Sequence, residues 1–332
     1  VKAFVTGGSG FIGSHLVEEL VNRGYEVYCL IRKTSTIEWL ERLNVHFVFG
    51  DCRDKASLKN GVRGMDYVFH LAAAINGPDW QYYYDVNTRG TQNLIEACLD
   101  QAPHLSKFVF VSSISAAGPN PQGKPLCESD ECRPISDYGR SKLLAERIVL
   151  SFQDRLPVVI IRPSNVLGPR QKELFESIKL INRGIKPLVG TPRSETSLSD
   201  VRDVVRAIVA AAQQPQASGQ TYFVTDGTTY AWKDIVEAVA EALGRRRFFV
   251  RVPYAVQYGA ALASELQARI AGKTPWFTRK SIRATRKFSW LYDSSKIEKE
   301  LGFKPERTMK AAVQRTVEWY RSQGKIGRHS KG

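Results

Sequence analysis

The chain predicts a doubly wound, mostly parallel α/β sheet followed by a smaller, mainly helical region. Short β-branched runs alternate with amphipathic helical patterns through the first half, and a glycine-rich turn joins the first strand to the first helix. After Pro163 strands become scarce and helical patterns take over.

Taken in order, strand-like runs occur at Ala3–Thr6, Glu26–Ile31, His46–Phe49, Tyr67–Leu71, Phe108–Val111 and Val158–Ile161, each bounded by Gly, Asp or Pro. Helical patterns lie between them near Ile12–Arg23, Ala56–Gly61, Val86–Leu99 and Tyr138–Ser151. Beyond Pro163 the helical patterns are Leu174–Arg183, Val201–Gln213, Trp232–Leu243, Val256–Ile270, Ser295–Leu301 and Met309–Arg321. Gln220–Thr225 is strand-like and is expected to return to the sheet. Residues 1–169, with 201–225 returning, then form the sheet domain. Residues 170–200 and 226–332 cap the carboxyl ends of its strands, where open α/β sheets bind ligands.

With 332 residues, 43% apolar and 24% charged, the chain can bury a large core, and disorder, collagen-like repeats and a disulfide scaffold are excluded. Its five cysteines and five histidines show no metal-ligand spacing, which predicts a reducing, cytoplasmic compartment and no metal. The first residues read as a strand entering a turn rather than as a targeting segment. Val252–Ser264 is too short to span a bilayer, which needs about 20 residues.

Thr6-Gly7-Gly8-Ser9-Gly10-Phe11-Ile12-Gly13 sits between strand and helix. In that context Gly7 permits the tight turn, Gly10 lets backbone N–H groups approach a diphosphate, and Gly13 lets the helix pack on the strand. A dinucleotide cofactor follows. The second strand ends in Ile31-Arg32-Lys33 without the acid that would bind a ribose 2′-hydroxyl, so NADP is preferred and NAD is the alternative. A solvated basic turn is the plainer reading of Arg32 and Lys33. Asp51 suits the adenine amino group or, equally, a cap of the following helix.

Tyr138 and Lys142 are four apart on a helical pattern and therefore share a face. An ammonium beside a phenol favours the phenolate and predicts a lowered Tyr138 pKa, suited to proton transfer. The strand ending in Ser112-Ser113 lies upstream and completes a Ser-Tyr-Lys set.

These motifs resemble the extended short-chain dehydrogenase/reductase superfamily, in its NAD-dependent epimerase/dehydratase family. They are TGGSGFIG, Asp66–Ala73 (DYVFHLAA), Asn87–Thr91 (NTRGT), Ser112-Ser113, Tyr138-Gly-Arg-Ser-Lys142, Arg162–Val166 (RPSNV), Asp293–Lys296 and Glu300–Phe303. The resemblance runs in order over nearly the whole chain and implies a Rossmann-type fold. It further implies Tyr138 as acid/base, Ser113 holding the substrate oxygen, Lys142 bonding the nicotinamide ribose and Asn87 holding the active-site backbone. Leu71, Ala72 and Ala73 would line the cofactor with Phe11, Ile12, Cys52, Val111, Pro163, Asn165 and Val166. Ser115, Asn165 and Arg283 join Ser113 as implied substrate contacts. The loop residues Trp80, Tyr82, Tyr83 and Tyr84 after the fourth strand read either as a lining of the substrate entrance or as ordinary packing. Ser113-Ile114-Ser115 stands where the dehydratases carry Thr-Asp-Glu, which argues against dehydration. The serine loop Ser112–Asn120 and the segment from Pro253 look like the 3β-hydroxysteroid dehydrogenase-like and dihydroflavonol reductase-like branch. Carbonyl reduction or alcohol oxidation is therefore expected ahead of a nucleotide-sugar 4-epimerase holding NAD tightly. A non-catalytic nucleotide sensor or assembly protein is the alternative of another class. The superfamily also implies a homodimer through the helices near Val86–Leu99 and Tyr138–Ser151.

The net charge is +15, of which +14 lies after residue 240: residues 241–332 hold 21 Lys/Arg against 7 Asp/Glu. Arg269, Lys273, Arg279, Lys280, Arg283, Arg286 and Lys287 interleave there with Trp276, Phe277, Phe288 and Trp290. No nucleic-acid motif accompanies them. An anionic or lipid-like part of a small-molecule substrate, an anionic membrane surface, or a solvated face remain as readings of this patch.

Overall fold

The computed structural model describes residues 1–184, 187–188, 194–244, 250–251, 253–270 and 288–326. The first half runs β1 (Lys2–Thr6), α1 (Phe11–Asn22), β2 (Glu26–Ile31), β3 (Val45–Phe49), α2 (Lys55–Val62), β4 (Tyr67–His70), α3 (Trp80–Tyr83), a π-helical stretch (Tyr84–Arg89), α4 (Gly90–Gln101), β5 (Lys107–Val111), α5 (Ile114–Ala117), α6 (Asp137–Ser151) and β6 (Val158–Pro163). The remainder runs β7 (Asn165–Leu167), α7 (Lys172–Asn182), β8 (Pro187–Leu188), β9 (Glu195–Asp200), α8 (Val201–Gln213), β10 (Thr221–Val224), β11 (Thr229–Ala231), α9 (Trp232–Ala242), β12 (Val250–Arg251), α10 (Tyr254–Ile270), α11 (Ser295–Leu301) and α12 (Met309–Ser322).

Seven strands form one parallel sheet in the order β10-β6-β5-β4-β1-β2-β3. Both of its faces are covered, so its strands are apolar on both sides. Ala3, Val5, Val109, Val159 and Ile161 point to the face holding α1 and α8, where they meet Leu16, Leu20, Val204 and Ile208. The alternate residues Phe4, Phe108, Phe110, Val158 and Ile160 meet Leu58, Leu94, Cys98 and Val149 of α2, α4 and α6. Period-two alternation thus assigns each side chain to one of two cores.

Two regions differ from the sequence expectation. The single helix expected near Val86–Leu99 is divided between the π-helical stretch and α4, and the short α3 precedes them. The wide turn brings Asn87 and Thr88 inward, where both bond to Ser141 on α6, and a local pattern does not register that tertiary contact. The second region has a three-stranded sheet, β11-β9-β7, where helices with few strands were expected. β7 and β11 are only three residues long, and β9 reads Glu-Thr-Ser-Leu-Ser-Asp with no apolar alternation. Its buried face is polar because Ser199 pairs with Ser164 at 2.6 Å and donates to the Val224 carbonyl at 2.7 Å.

Candidate active site

The C-terminal ends of β1, β4 and β5 lie side by side, with Thr6 in register with His70 and His70 with Phe110. Gly7 turns the chain at φ +72°, against the backbone of Leu71 and Ala72, where a Cβ would come within 2.6 Å of the Ala72 nitrogen. At Gly13 a Cβ would sit 2.1 Å from the Gly7 carbonyl oxygen, so only glycine lets α1 start there. No side chain caps α1 and no acid stands in its first turn, which leaves the N–H groups of Phe11, Ile12 and Gly13 directed at an anion. That cradle fits a dinucleotide diphosphate.

Arg32 and Lys33 are exposed in the loop that follows β2, with no carboxylate beside them in sequence. Asp51 is clamped by its neighbour: Arg53 donates from its backbone N–H, Nε and Nη2 at 2.9, 3.0 and 2.8 Å and holds the carboxyl below its usual range. The alternative role of Asp51 as a helix cap is overturned, because Asp54 caps α2 through the Ala56 N–H. Cys52 is buried beneath this loop, and desolvation pushes its thiol up to about 12.

Tyr138 lies in the first turn of α6, which Ser136 caps, and its hydroxyl stands near Ser113, which favours the phenolate. The Ser113 Oγ also accepts the Ser115 N–H at 3.1 Å, which orients it at the start of α5. Gly139 permits this approach, since a Cβ there would lie 2.2 Å from the Ser115 carbonyl oxygen. Lys142 stands one turn further on, fully buried over the Phe110 ring at 4.0 Å, and donates to the Val111 carbonyl at 2.9 Å. Glu146, a further turn along, forms a buried bidentate pair with Arg162 at 2.9 and 2.6 Å and locks the rotation of the helix.

The electrostatics differ from the spacing argument. Tyr138 is pushed up to about 12, by burial first, while Ser113 beside it pulls the other way. Lys142 is pushed down to about 7 by burial, with Glu146 opposing. Desolvation is the largest cause at each group, so the lowered tyrosine expected from the i, i+4 spacing is corrected to a raised one.

Asn87 bridges the site's walls. Its Oδ1 accepts the Ala74 N–H at 2.7 Å, and its Nδ2 donates to the Ala74 carbonyl and to Ser141 Oγ at 3.0 and 2.9 Å. Sequence reasoning assigned no role to Thr6, His70 or Thr91, although all three stand in its motifs. They form a chain in which the Ala72 N–H donates to Thr6 Oγ1, and Thr6 donates to His70 Nδ1 at 2.6 Å. His70 Nε2 then donates to Thr91 Oγ1 at 2.9 Å, and Thr91 donates to the Asn87 carbonyl. This polarity requires a neutral imidazole, in accord with a His70 pKa pushed down to about 3 by burial. A histidine ending an otherwise apolar strand was the available signal.

Trp80 is exposed and lies 5.9 Å from the Tyr84 ring. Tyr83, one of the aromatic loop residues expected at the substrate entrance, packs edge-on to Tyr138 at 6.5 Å and accepts the Gly77 N–H at 2.9 Å. Pro163 closes β6, buried, and Val166 packs on the core below it. Asn165 is exposed on β7, where its Nδ2 donates to Thr196 Oγ1 at 2.7 Å. Arg283, like Lys273, Trp276, Phe277, Arg279, Lys280, Arg286 and Lys287, lies outside the described residues, as does the side chain of Arg269. Trp290 is not part of a surface patch: it packs on Ile114, Leu126 and Tyr292 beneath the serine loop.

Comparisons with known proteins agree with this geometry. The profile of the NAD dependent epimerase/dehydratase family matches residues 3–224. The chain is 32% identical to "Sterol demethylase protein B" of Methylococcus capsulatus over 98% of its own length and 100% of the relative's. It is 27% identical to the decarboxylating sterol-4-alpha-carboxylate 3-dehydrogenase of Mus musculus, covering 96% of the chain and 90% of that protein. Among solved structures it resembles MoeE5 in complex with UDP-glucuronic acid and NAD, at TM-score 0.77 and 25% identity, over 97% of this chain and 100% of that one.

Proposed function

Because the chain belongs to the NAD dependent epimerase/dehydratase family, we propose that it transfers a hydride between a nicotinamide cofactor and a secondary alcohol or ketone, using Ser113, Tyr138 and Lys142. The observation that carries this reading is the convergence of Ser113, at the start of α5, on Tyr138 at the start of α6, with Lys142 one turn further along that helix. When bound, the nicotinamide supplies or accepts the hydride. The protein's part is positional and protic. The open N–H groups of α1 hold the diphosphate, Ser113 and Tyr138 converge on the substrate oxygen, and Tyr138, protonated at neutral pH, gives the proton in the reducing direction. Arg32 and Lys33 favour NADP over NAD, and relative affinities for NADPH and NADH measure that preference.

The substrate we propose is an apolar, ring-containing molecule that carries an anionic group. Tyr83 beside Tyr138, with Trp80 and Tyr84 on the same segment, supports an aromatic wall. The sterol chemistry named for two relatives supports the same class. Exposed Tyr254, Val256, Leu262, Leu266 and Ile270 on α10 support peripheral contact with a membrane surface from a cytoplasmic location. Among the described residues no helix is long and apolar enough to cross a membrane. A homodimer through α4 and α6 belongs to the same proposal and is read by light scattering.

Tyr138→Phe tests the assignment. Its hydride-transfer rate should fall by ~10²–10⁴-fold with nucleotide affinity within about threefold of wild type, and retained turnover would remove Tyr138 from the chemistry. Sugar interconversion with tightly held NAD and no net NADH signal would instead show an epimerase. Tight nucleotide binding with no turnover on any ketone, alcohol or nucleotide sugar would show a sensor.

A further inference from the structure

We propose that the chain carries a second anion site, remote from the hydride-transfer site, that takes a phosphate-bearing small molecule. It is a cleft of about 610 Å³ between α1, α8 and α12, lined by Arg23, Arg170, Arg202, Arg206, Arg307 and Trp319 among others. That volume is within the ~300–1,000 Å³ typical of small-molecule pockets. None of its lining residues belongs to the nucleotide or catalytic sets described above.

Most of the cations around the cleft already have partners. Asp203 Oδ1 accepts Arg206 and Arg307 at 2.8 and 2.7 Å, and its Oδ2 accepts the backbone N–H groups of Glu306 and Arg307. Asp200 takes Arg315, Glu19 takes Arg23 at 2.6 Å, and Glu306 takes Arg206 at 2.7 Å and reaches Arg307 at 3.3 Å. Glu18 takes one nitrogen of Arg170 at 2.8 Å. Donors remain after this pairing. Arg202 is exposed at the cleft, and its guanidinium makes no hydrogen bond or ion pair among the described residues. Arg170 Nε and Nη1 are buried without a hydrogen-bond acceptor, with the guanidinium 5.1 Å from the Trp39 ring. Arg170 is also the only described non-glycine residue with positive φ, +73°, a strained backbone that turns this side chain into the seam.

The surroundings register the cationic excess. Arg202 is held below its ordinary value, by burial and then by Arg315 and Arg307. His15, whose Nε2 bonds the Pro169 carbonyl at 3.1 Å and whose Nδ1 faces Glu18, is pushed down to about 4 by burial and by Arg170. Planar guanidinium groups with open N–H donors match phosphate oxygens, which accept several such bonds at once. Carboxylates that already neutralise the other arginines restrict the site to one anionic group, with Arg202 as its recognition residue.

The test is calorimetric titration of the full chain with inorganic phosphate and with pyrophosphate, in saturating NADP+ so that the first site and its 2′-phosphate contacts are filled. Wild type should bind at least one of the two. Arg202→Gln should bind it about tenfold or more weakly, with unchanged NADP+ affinity and unchanged thermal unfolding in phosphate-free buffer. Arg32→Gln should bind phosphate as wild type does. A wild-type protein that binds neither probe, or an Arg202→Gln variant of equal affinity, overturns the proposal. A preference for pyrophosphate identifies a diphosphate-bearing ligand over free phosphate.

Discussion

Lys142 sits one helical turn from Tyr138, yet its Nζ reaches the Val111 carbonyl and lies over the Phe110 ring. The spacing of the pair is legible in sequence because four residues make one turn. Its charge state is not, because desolvation comes from β4, β5 and the π-helical stretch. The folded-state pKa of about 7 lies below the ordinary lysine value of 10.5, so between those values the unfolded chain binds the extra proton. Stability therefore rises with pH through that window and is lowest below it. Lys142→Met should remove this slope and raise Tm near pH 7 by at least about 2 °C, an advantage that vanishes above pH 10.5. Parallel Tm-against-pH curves for the two proteins would show that Lys142 does not release its proton in this range.

The turn from β1 into α1 was readable as an element because it demands glycines at set positions. The structure adds that the three glycines act differently. Gly7 meets the Leu71–Ala72 backbone, Gly13 meets the Gly7 carbonyl, and Gly10 has a looser 3.1 Å approach. Gly13→Ala should weaken nucleotide binding by tenfold or more, about 1.4 kcal/mol, and lower Tm. Gly259→Ala on α10 is the contrasting control, with nothing within 4 Å of the added Cβ. Alanine's better helix propensity should leave that variant neutral or more stable by up to about 1 kcal/mol. Calorimetry and thermal unfolding of both variants check the pair. The break of the expected Val86–Leu99 helix into the π-helical stretch and α4 was not readable, since it answers to Ala74 and Ser141 rather than to neighbours in sequence.

At the scale of the molecule, the sheet and the C-terminal region are stitched by a small sheet and by buried carboxylates, Asp203 among them. β9 pairs with β7 on one side and β11 on the other, and Asp203 joins α8 to the backbone at Glu306 and Arg307. Trp39, after β2, adds an edge contact to Trp319 of α12 at 5.3 Å. Asp203→Ala leaves two guanidinium groups and two N–H donors without their acceptor. It should cost about 2–4 kcal/mol, discounted for the partial exposure of both arginines, and should appear as a lower Tm with nucleotide affinity retained. Sequence by itself determined the alternation of strands and helices, the glycine turn and the shared face of Tyr138 and Lys142. Steric and periodic rules of that kind act within a few residues of chain. Only the tertiary structure decided the protonation of Tyr138 and Lys142, the Thr6–His70–Thr91 chain, the polar strand β9 and the partition of arginines around Asp203. Burial and hydrogen-bond partners are set by segments that meet only in the folded protein, as Asp203 and Arg307 do across 104 positions of sequence.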